Sequence, residues 1–230
     1  MAQRACKRRV RFQPLPPAPF PASSPAFTAP FRSLSLNVFA DFPGSSNRRF
    51  KGVCDLPYPP ALVFSVLSDN ARRCVWDRNI ASLEATVLQT SPHPATLLRS
   101  CTKGMLGISS RDFLDVSVEL RFPDGPSPPA PGTGFSAPAG SLVVAGVGLE
   151  ADAAYPEGLL GTVRGFNSPG SGWVFEALPG GSSTRVHYLI HVDLRGWIPS
   201  ALVNSSLAKN YVDFFTDLLE AIKLTKGVSE

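Results

Sequence analysis

The pattern that most restricts the fold lies near the C-terminal end, where Val203, Leu207, Tyr211, Phe214, Phe215, Leu218 and Ile222 recur every three or four residues. This spacing predicts one helix over residues 200–223, with an apolar stripe along its length and Gly227 as a stop. A stripe that long has to be covered by something, and what precedes it reads as strands. Segments 82–90, 95–101, 111–122, 141–149, 162–167, 172–178 and 184–194 show alternation or short apolar runs between turn residues. In the last of them Val186, Tyr188, Ile190, Val192 and Leu194 share one face, opposite His187, Leu189, His191 and Asp193. That is the pattern of a half-buried antiparallel strand. Upstream, FRSLSLNVF and NRRFKGVCDL alternate in the same way around a turn at Pro43 and Gly44. Tyr58, Pro59 and Pro60 then open a short helix, because proline is tolerated in a first turn. The expected class is α+β, a curved antiparallel sheet wrapped on one long terminal helix.

Residues 1–26 stand apart as a disordered leader. They are basic at first and then broken by Pro14, Pro16, Pro17, Pro19, Pro21 and Pro25, which forbid a helix. The folded domain is expected over 27–226, interrupted by a surface loop at 123–140 that holds six prolines and four glycines. The charge is as uneven as the composition. The net +4 comes from six Arg or Lys before residue 41, a stretch without acids; from residue 41 on, sixteen basic residues face eighteen acidic ones. The body therefore has no electrostatic footprint for nucleic acid. The acid-free leader suits organellar targeting, although proline breaks the amphipathic helix such segments use. No apolar run approaches the roughly 18 residues of a spanning helix.

Catalytic and metal chemistry find little support. His93 sits between two prolines in a turn, and His187 and His191 are four residues apart on a strand, about 13 Å, too far to share one metal. Cys54, Cys74 and Cys101 have no nucleophile motif nearby and read as buried inert thiols. Gly146 and Gly148 lie inside a strand, not at the strand-to-helix turn of a dinucleotide site. No cofactor and no metal site is expected.

A set of short motifs in fixed order is more informative. Trp76-Asp77 ends the first helical region, SSRDF spans 109–113, VRGF spans 163–166, Gly172-Trp173 opens a strand, and VDLRGWIP spans 192–199 with Asn204 beyond it. In this order the chain resembles the START family of lipid-transfer domains over about residues 48–223. The resemblance implies a helix-grip fold in which the sheet curls around a lipid tunnel closed by the C-terminal helix. It also implies a non-catalytic function, the binding of one sterol or phospholipid and its transfer between membranes, by a monomer that meets the membrane transiently from the cytoplasm or as a peripheral protein.

On that footing the lipid-contacting residues are expected to be Trp76, Leu98, Phe113, Ser117, Trp173, Phe175, Tyr188, Val203, Leu207, Tyr211 and Phe214. Lys103, Met105, Leu106 and Ile108 belong to the loop that corresponds to the family's gate, where apolar side chains between Gly104 and Gly107 suit shallow membrane insertion beside a lysine. Arg111, Asp112, Asp193 and Trp197 are expected to be structural: the first two as an ion pair holding a strand end, Asp193 in a corner, and Trp197, with the other tryptophans, as a core anchor. In some sterol-binding members a buried acid faces a strand arginine inside the cavity. The aligned positions here are Leu98 and Ser117, so that pair is absent. The competing reading is a cyclase or hydratase on the same fold, with His187, His191, Tyr188 and Asp112 as acids and bases. A third is a lipid-sensing regulatory domain.

Overall fold

The computed structural model describes residues 27–31, 34–40, 48–90, 93–104, 107–122, 140–150, 154–156 and 161–227. The leader and all but the last residue of the 123–140 loop lie outside them, as do Met105 and Leu106. Strands β1 (Phe27–Phe31), β2 (Leu34–Ala40) and β3 (Arg48–Leu56) come first, then helices α1 (Pro60–Ser68) and α2 (Asn70–Trp76). Strands β4 (Ile80–Leu88), β5 (Ala95–Thr102), β6 (Arg111–Arg121) and β7 (Leu142–Gly148) follow. After the two-residue strands β8 (Val163–Arg164) and β9 (Phe166–Asn167) come β10 (Ser171–Ala177), β11 (Thr184–Asp193) and α3 (Ser200–Gly227).

Nine strands form one antiparallel path in the order β1-β2-β3-β11-β10-β7-β6-β5-β4, with β8 against β6 and β9 against β11. This is the expected curved sheet around a terminal helix. The strand expected at 162–167 is divided into β8 and β9 at Gly165, where a Cβ would come within 2.4 Å of the Phe113 ring. The terminal helix runs through Gly227. No helix among the described residues is long and apolar enough to cross a membrane.

Helix α3 does two jobs along its length. Its C-terminal half is core: Phe215, Leu218 and Ile222 are fully buried, close to Val63, Phe64 and Leu67 of α1. Phe64 meets Phe175 of β10 edge-on at 5.6 Å, which continues the core into the sheet. Arg78 fixes this half from outside, donating from Nη2 and Nε to Asp217 at 2.6–3.0 Å. Midway, the Tyr211 ring lies on Gly52 of β3, where a Cβ would sit 2.5 Å from it, and its hydroxyl donates to the Tyr188 carbonyl at 3.1 Å.

Arg111 and Asp112 do not pair with each other, because neighbours on a strand point to opposite faces. Asp112 turns outward to Arg164 of β8, 2.7 Å from its Nη2, and also accepts from Thr162 at 3.1 Å. Arg164 and Asp112 are each 2% exposed. Removing one partner from such a pair leaves a buried charge uncompensated, a loss of about 3–5 kcal/mol. Asp112→Ala is therefore expected to lower the melting temperature by roughly 10 °C or more. Arg164→Leu, which removes the other partner of the same pair, should lower it as well. Equal melting temperatures for wild type and Asp112→Ala would contradict this account.

Candidate functional site

The inward face of the sheet and the N-terminal half of α3 enclose a cavity of about 260 Å³. One wall is β6, whose alternation sends Arg111, Phe113, Asp115, Ser117 and Glu119 to the inside. Leu98 of β5, Val144 and Gly146 of β7, and Tyr188, Ile190 and Val192 of β11 continue it. Leu207, Asn210 and Phe214 of α3 form the roof.

Of the residues expected to touch lipid, Leu98, Phe113, Ser117, Trp173, Tyr188, Leu207 and Phe214 border the cavity. Trp76, Phe175, Val203 and Tyr211 are set behind it. Phe175 and Tyr211 are solid core at 0% and 1% exposure, Val203 packs against the core, and Trp76 backs Phe214 at 6.1 Å. The helical stripe is thus split, since a curved sheet contacts successive turns of a straight helix at different depths.

Several aromatic rings share one end of the cavity. Trp173 stacks on Tyr188 at 4.9 Å, and Tyr188 meets Phe214 at 4.9 Å. The Arg73 guanidinium lies 4.7 Å from the Trp76 ring centre and 5.2 Å from that of Phe214, and its Nη2 is 2.8 Å from Asp77. A guanidinium over aromatic faces and beside a carboxylate is held by cation–π attraction and by an ion pair together. Three buried polar atoms of cavity-lining residues have no protein partner: Trp173 Nε1, Asn79 Nδ2 and Ser206 Oγ.

The mouth is held by Arg111. Its Nε donates to the Leu194 carbonyl at 2.7 Å, Nη1 to the Ser109 carbonyl and hydroxyl at 2.6 and 2.7 Å, and Nη2 to the Arg195 carbonyl at 3.3 Å. One side chain thereby ties the loop before β6 to the corner that leads into α3. In that corner Asp193 Oδ1 accepts from the Arg195 amide at 2.9 Å, which supports Arg195 at a φ of +50°. Lys103 and Ile108 border the mouth. Trp197 overturns the expectation of a core anchor, standing 92% exposed beside Gly196. Cys74 is likewise exposed; among the described cysteines only Cys54 is a fully buried thiol, pushed up to about 12 by burial and the adjacent Asp55.

The candidate acids and bases of an enzyme do not converge. His187 is outside the cavity with Nε2 3.3 Å from Glu176, its basicity lowered mainly by burial. Asp112 points outward to Arg164, and His191 does not border the cavity. Tyr188 alone faces it, and burial raises its phenol far above the usual range, so it stays protonated.

Sequence reasoning missed Asp115. It lies directly across from Leu98 in the β5–β6 register and receives the Asn167 amide at 3.0 and 3.2 Å. Burial pushes its carboxyl up to about 6, against the opposing effects of that hydrogen bond and of Arg164. The alternation of β6 was the available signal, but apolar residues on both faces of 111–121 leave its register open until neighbouring strands are known.

The sequence model of the START domain matches residues 35–226. Human StAR-related lipid transfer protein 4 is 29% identical over 168 residues, 70% of each chain. Mouse StAR-related lipid transfer protein 5 is 26% identical over 199 residues, 83% of this chain and 81% of the relative. Among solved structures, human StAR-related lipid transfer protein 5 superposes with a TM-score of 0.67 at 23% identity, over 87% of both chains. A STAR-related lipid transfer protein fragment from Xanthomonas axonopodis superposes with a TM-score of 0.60 at 19% identity, over 87% of this chain and 98% of the fragment. These two structures share the helix-grip fold.

Because the folded carboxyl of Asp115 holds its proton more tightly than an unfolded one, its ionisation opposes folding above about pH 6. This cost fades as the pH falls from there to about 4, where the unfolded carboxyl is also protonated. In protein stripped of lipid, Asp115→Asn should stabilise at neutral pH by up to about 3 kcal/mol, with the gain vanishing near pH 4. Urea unfolding across that range checks it; a gain independent of pH would remove ionisation as the cause.

Proposed function

The chain belongs to the START domain family, and from that premise we propose that it is a non-catalytic carrier that takes up one sterol or phospholipid and passes it between membranes. The observation that carries this reading is the cavity between the inner face of the sheet and a single helix, lined mostly by apolar surface with polar side chains among it. Each methylene moved from water into such a wall is favourable by about 0.8 kcal/mol, so a shielded acyl chain or sterol ring system crosses water far more readily than a bare one. Against the rival enzyme stands the scatter of its acids and bases: two histidines outside the cavity, an aspartate locked to Arg164, and a neutral tyrosine.

Loading requires movement. The cavity, at about 260 Å³, is just under the roughly 300 Å³ at which small-ligand pockets begin, so a whole lipid enters by displacing part of the wall. The N-terminal half of α3 is the part left to yield, since Arg78 and the aromatic core hold its other half and Arg111 ties Ser109 to the corner before it. The same mouth suits a membrane surface. Trp197 offers an exposed indole, and indoles favour the bilayer interface, while Ile108 and the exposed Lys103 stand at the rim.

Native mass spectrometry of the delipidated full chain, after incubation with phosphatidylcholine vesicles containing cholesterol, should show one lipid per chain. Protein that stays lipid-free under these conditions would sink the carrier reading. Trp197→Ser should slow vesicle-to-vesicle transfer by about tenfold, with an unchanged melting curve, because a solvent-exposed indole adds membrane affinity and no packing. Leu207→Trp should fill the roof and reduce loading more than stability; loss of folding with normal loading would mark Leu207 as core.

A further inference from the structure

We propose that the free edge of β4 is a self-association surface, on which a second copy of this chain pairs its own β4 antiparallel about a two-fold axis at Ala85. This holds whatever the cavity carries. The sheet ends in two edges, β1 and β4, and the chain treats them differently. The β1 edge is five residues long, contains Pro30, which has no backbone N–H to offer, and lies against α3. The β4 edge is nine residues long and has β5 as its one strand partner among the described residues. It holds neither proline nor lysine, and its register with β5 shifts only at the start, between Ile80 and Ser82. A long, regular edge of this kind offers a row of unpaired amides and carbonyls to a strand that fits it.

The edge is also uncovered. Ala81, Ser82 and every residue from Glu84 to Val87 are exposed, so both faces of β4 are open along that stretch. Val87 is 62% exposed, apolar surface that an added strand would take out of water.

Charge and side-chain pattern select the occupant. Glu84 is the one ionisable residue of β4, and Arg99 of β5 stands opposite it in register, so the edge meets its own counter-charge within the chain and recruits neither a basic nor an acidic strand. What remains is a pattern that complements itself when read backwards about Ala85. In that register Leu83 stands opposite the partner's Val87, and Glu84 opposite the partner's Thr86, whose hydroxyl can donate to the carboxylate. Ala85 meets its own counterpart, where two small side chains let the strands close. An axis at Glu84 would set two carboxylates against each other, and an axis at Thr86 would set Glu84 against the partner's Leu88. The pairing is isologous, so it closes at two chains. Each cavity mouth lies by the start of β4, where the Lys103 amide donates to the Asn79 carbonyl at 2.9 Å. Antiparallel pairing therefore holds the two mouths at opposite ends of the dimer, and one membrane meets one mouth at a time.

Nine residues a side bury less than the roughly 1,200 Å² of a standard interface, so the dimer should form at about 100 µM chain and come apart at about 1 µM. Sedimentation velocity of the full chain across that range tests this for wild type, Ala85→Lys, Ala85→Glu and an equal mixture of the two variants. A thermal melt at the lowest concentration checks folding, which a substitution at an exposed position should leave unchanged. Wild type should pass from monomer to dimer, and exchange of the amides of residues 82–88 with deuterated solvent should slow as it does. Each variant alone should need at least about fivefold more protein to pair, because like charges meet across the axis, and the mixture should recover wild-type behaviour.

Wild type that stays monomeric overturns the proposal. Slow exchange at 82–88 in that monomer would assign the edge to another part of the chain itself, and fast exchange would leave it to a strand of another protein. A wild-type dimer that either variant leaves intact, or that the mixture fails to restore, overturns the proposal as well.

Discussion

The cavity persists because Arg111 is buried at its mouth. A guanidinium 5% exposed, with main-chain carbonyls and one serine hydroxyl as its partners among the described residues, spends its donors on two segments that would otherwise be independent. The loop that ends at Ser109 and the corner at Leu194 and Arg195 are far apart in sequence, and each on its own would collapse inward or swing away. Fixing both to one rigid planar group holds the rim apart while leaving the space beneath it unfilled. Arg suits this position because its fork of donors has a fixed geometry that a lysine lacks.

The next residue does the reverse on the other face. Asp112 fixes β8 through Arg164, and the chain then turns at Gly165 so that β9 can place Asn167 over Gly148. An outer-face ion pair and an inner-face hydrogen bond therefore share one stretch of chain, which β11 also holds through its pairing with Asn167. Sheet alternation alone connects them: odd positions of β6 address the cavity and even positions address the covering chain.

Helix α3 divides the molecule in the other direction. From Phe215 onward it is packed as tightly as any core helix, and Arg78 clasps Asp217 beside it. Before Tyr211 it roofs a cavity and contributes Ser206, whose buried hydroxyl has no protein partner.

Strand order of magnitude and helix class were legible in the sequence because periodicity is a local property. The alternation at 184–194 and the three-to-four spacing after residue 200 each need one face buried, whatever the neighbours are. The ordered motifs carried the resemblance that supplied the helix grip, and tertiary contacts then reassigned individual residues. Trp197 looked like core because it is large, yet the positive φ at Arg195 and Gly196 turns the corner outward and leaves it 92% exposed. Arg111 and Asp112 looked like an ion pair because they are adjacent, yet adjacency on a strand separates them. Asp115 went unseen because nothing near it in sequence signals an acid that faces an interior space; its partner, Asn167, reaches it through the packing of β9 against β6, β7 and β11. What the chain encoded locally was which faces must be buried. Which polar groups ended up facing an interior space was decided by strand register, and register is set between segments distant in sequence.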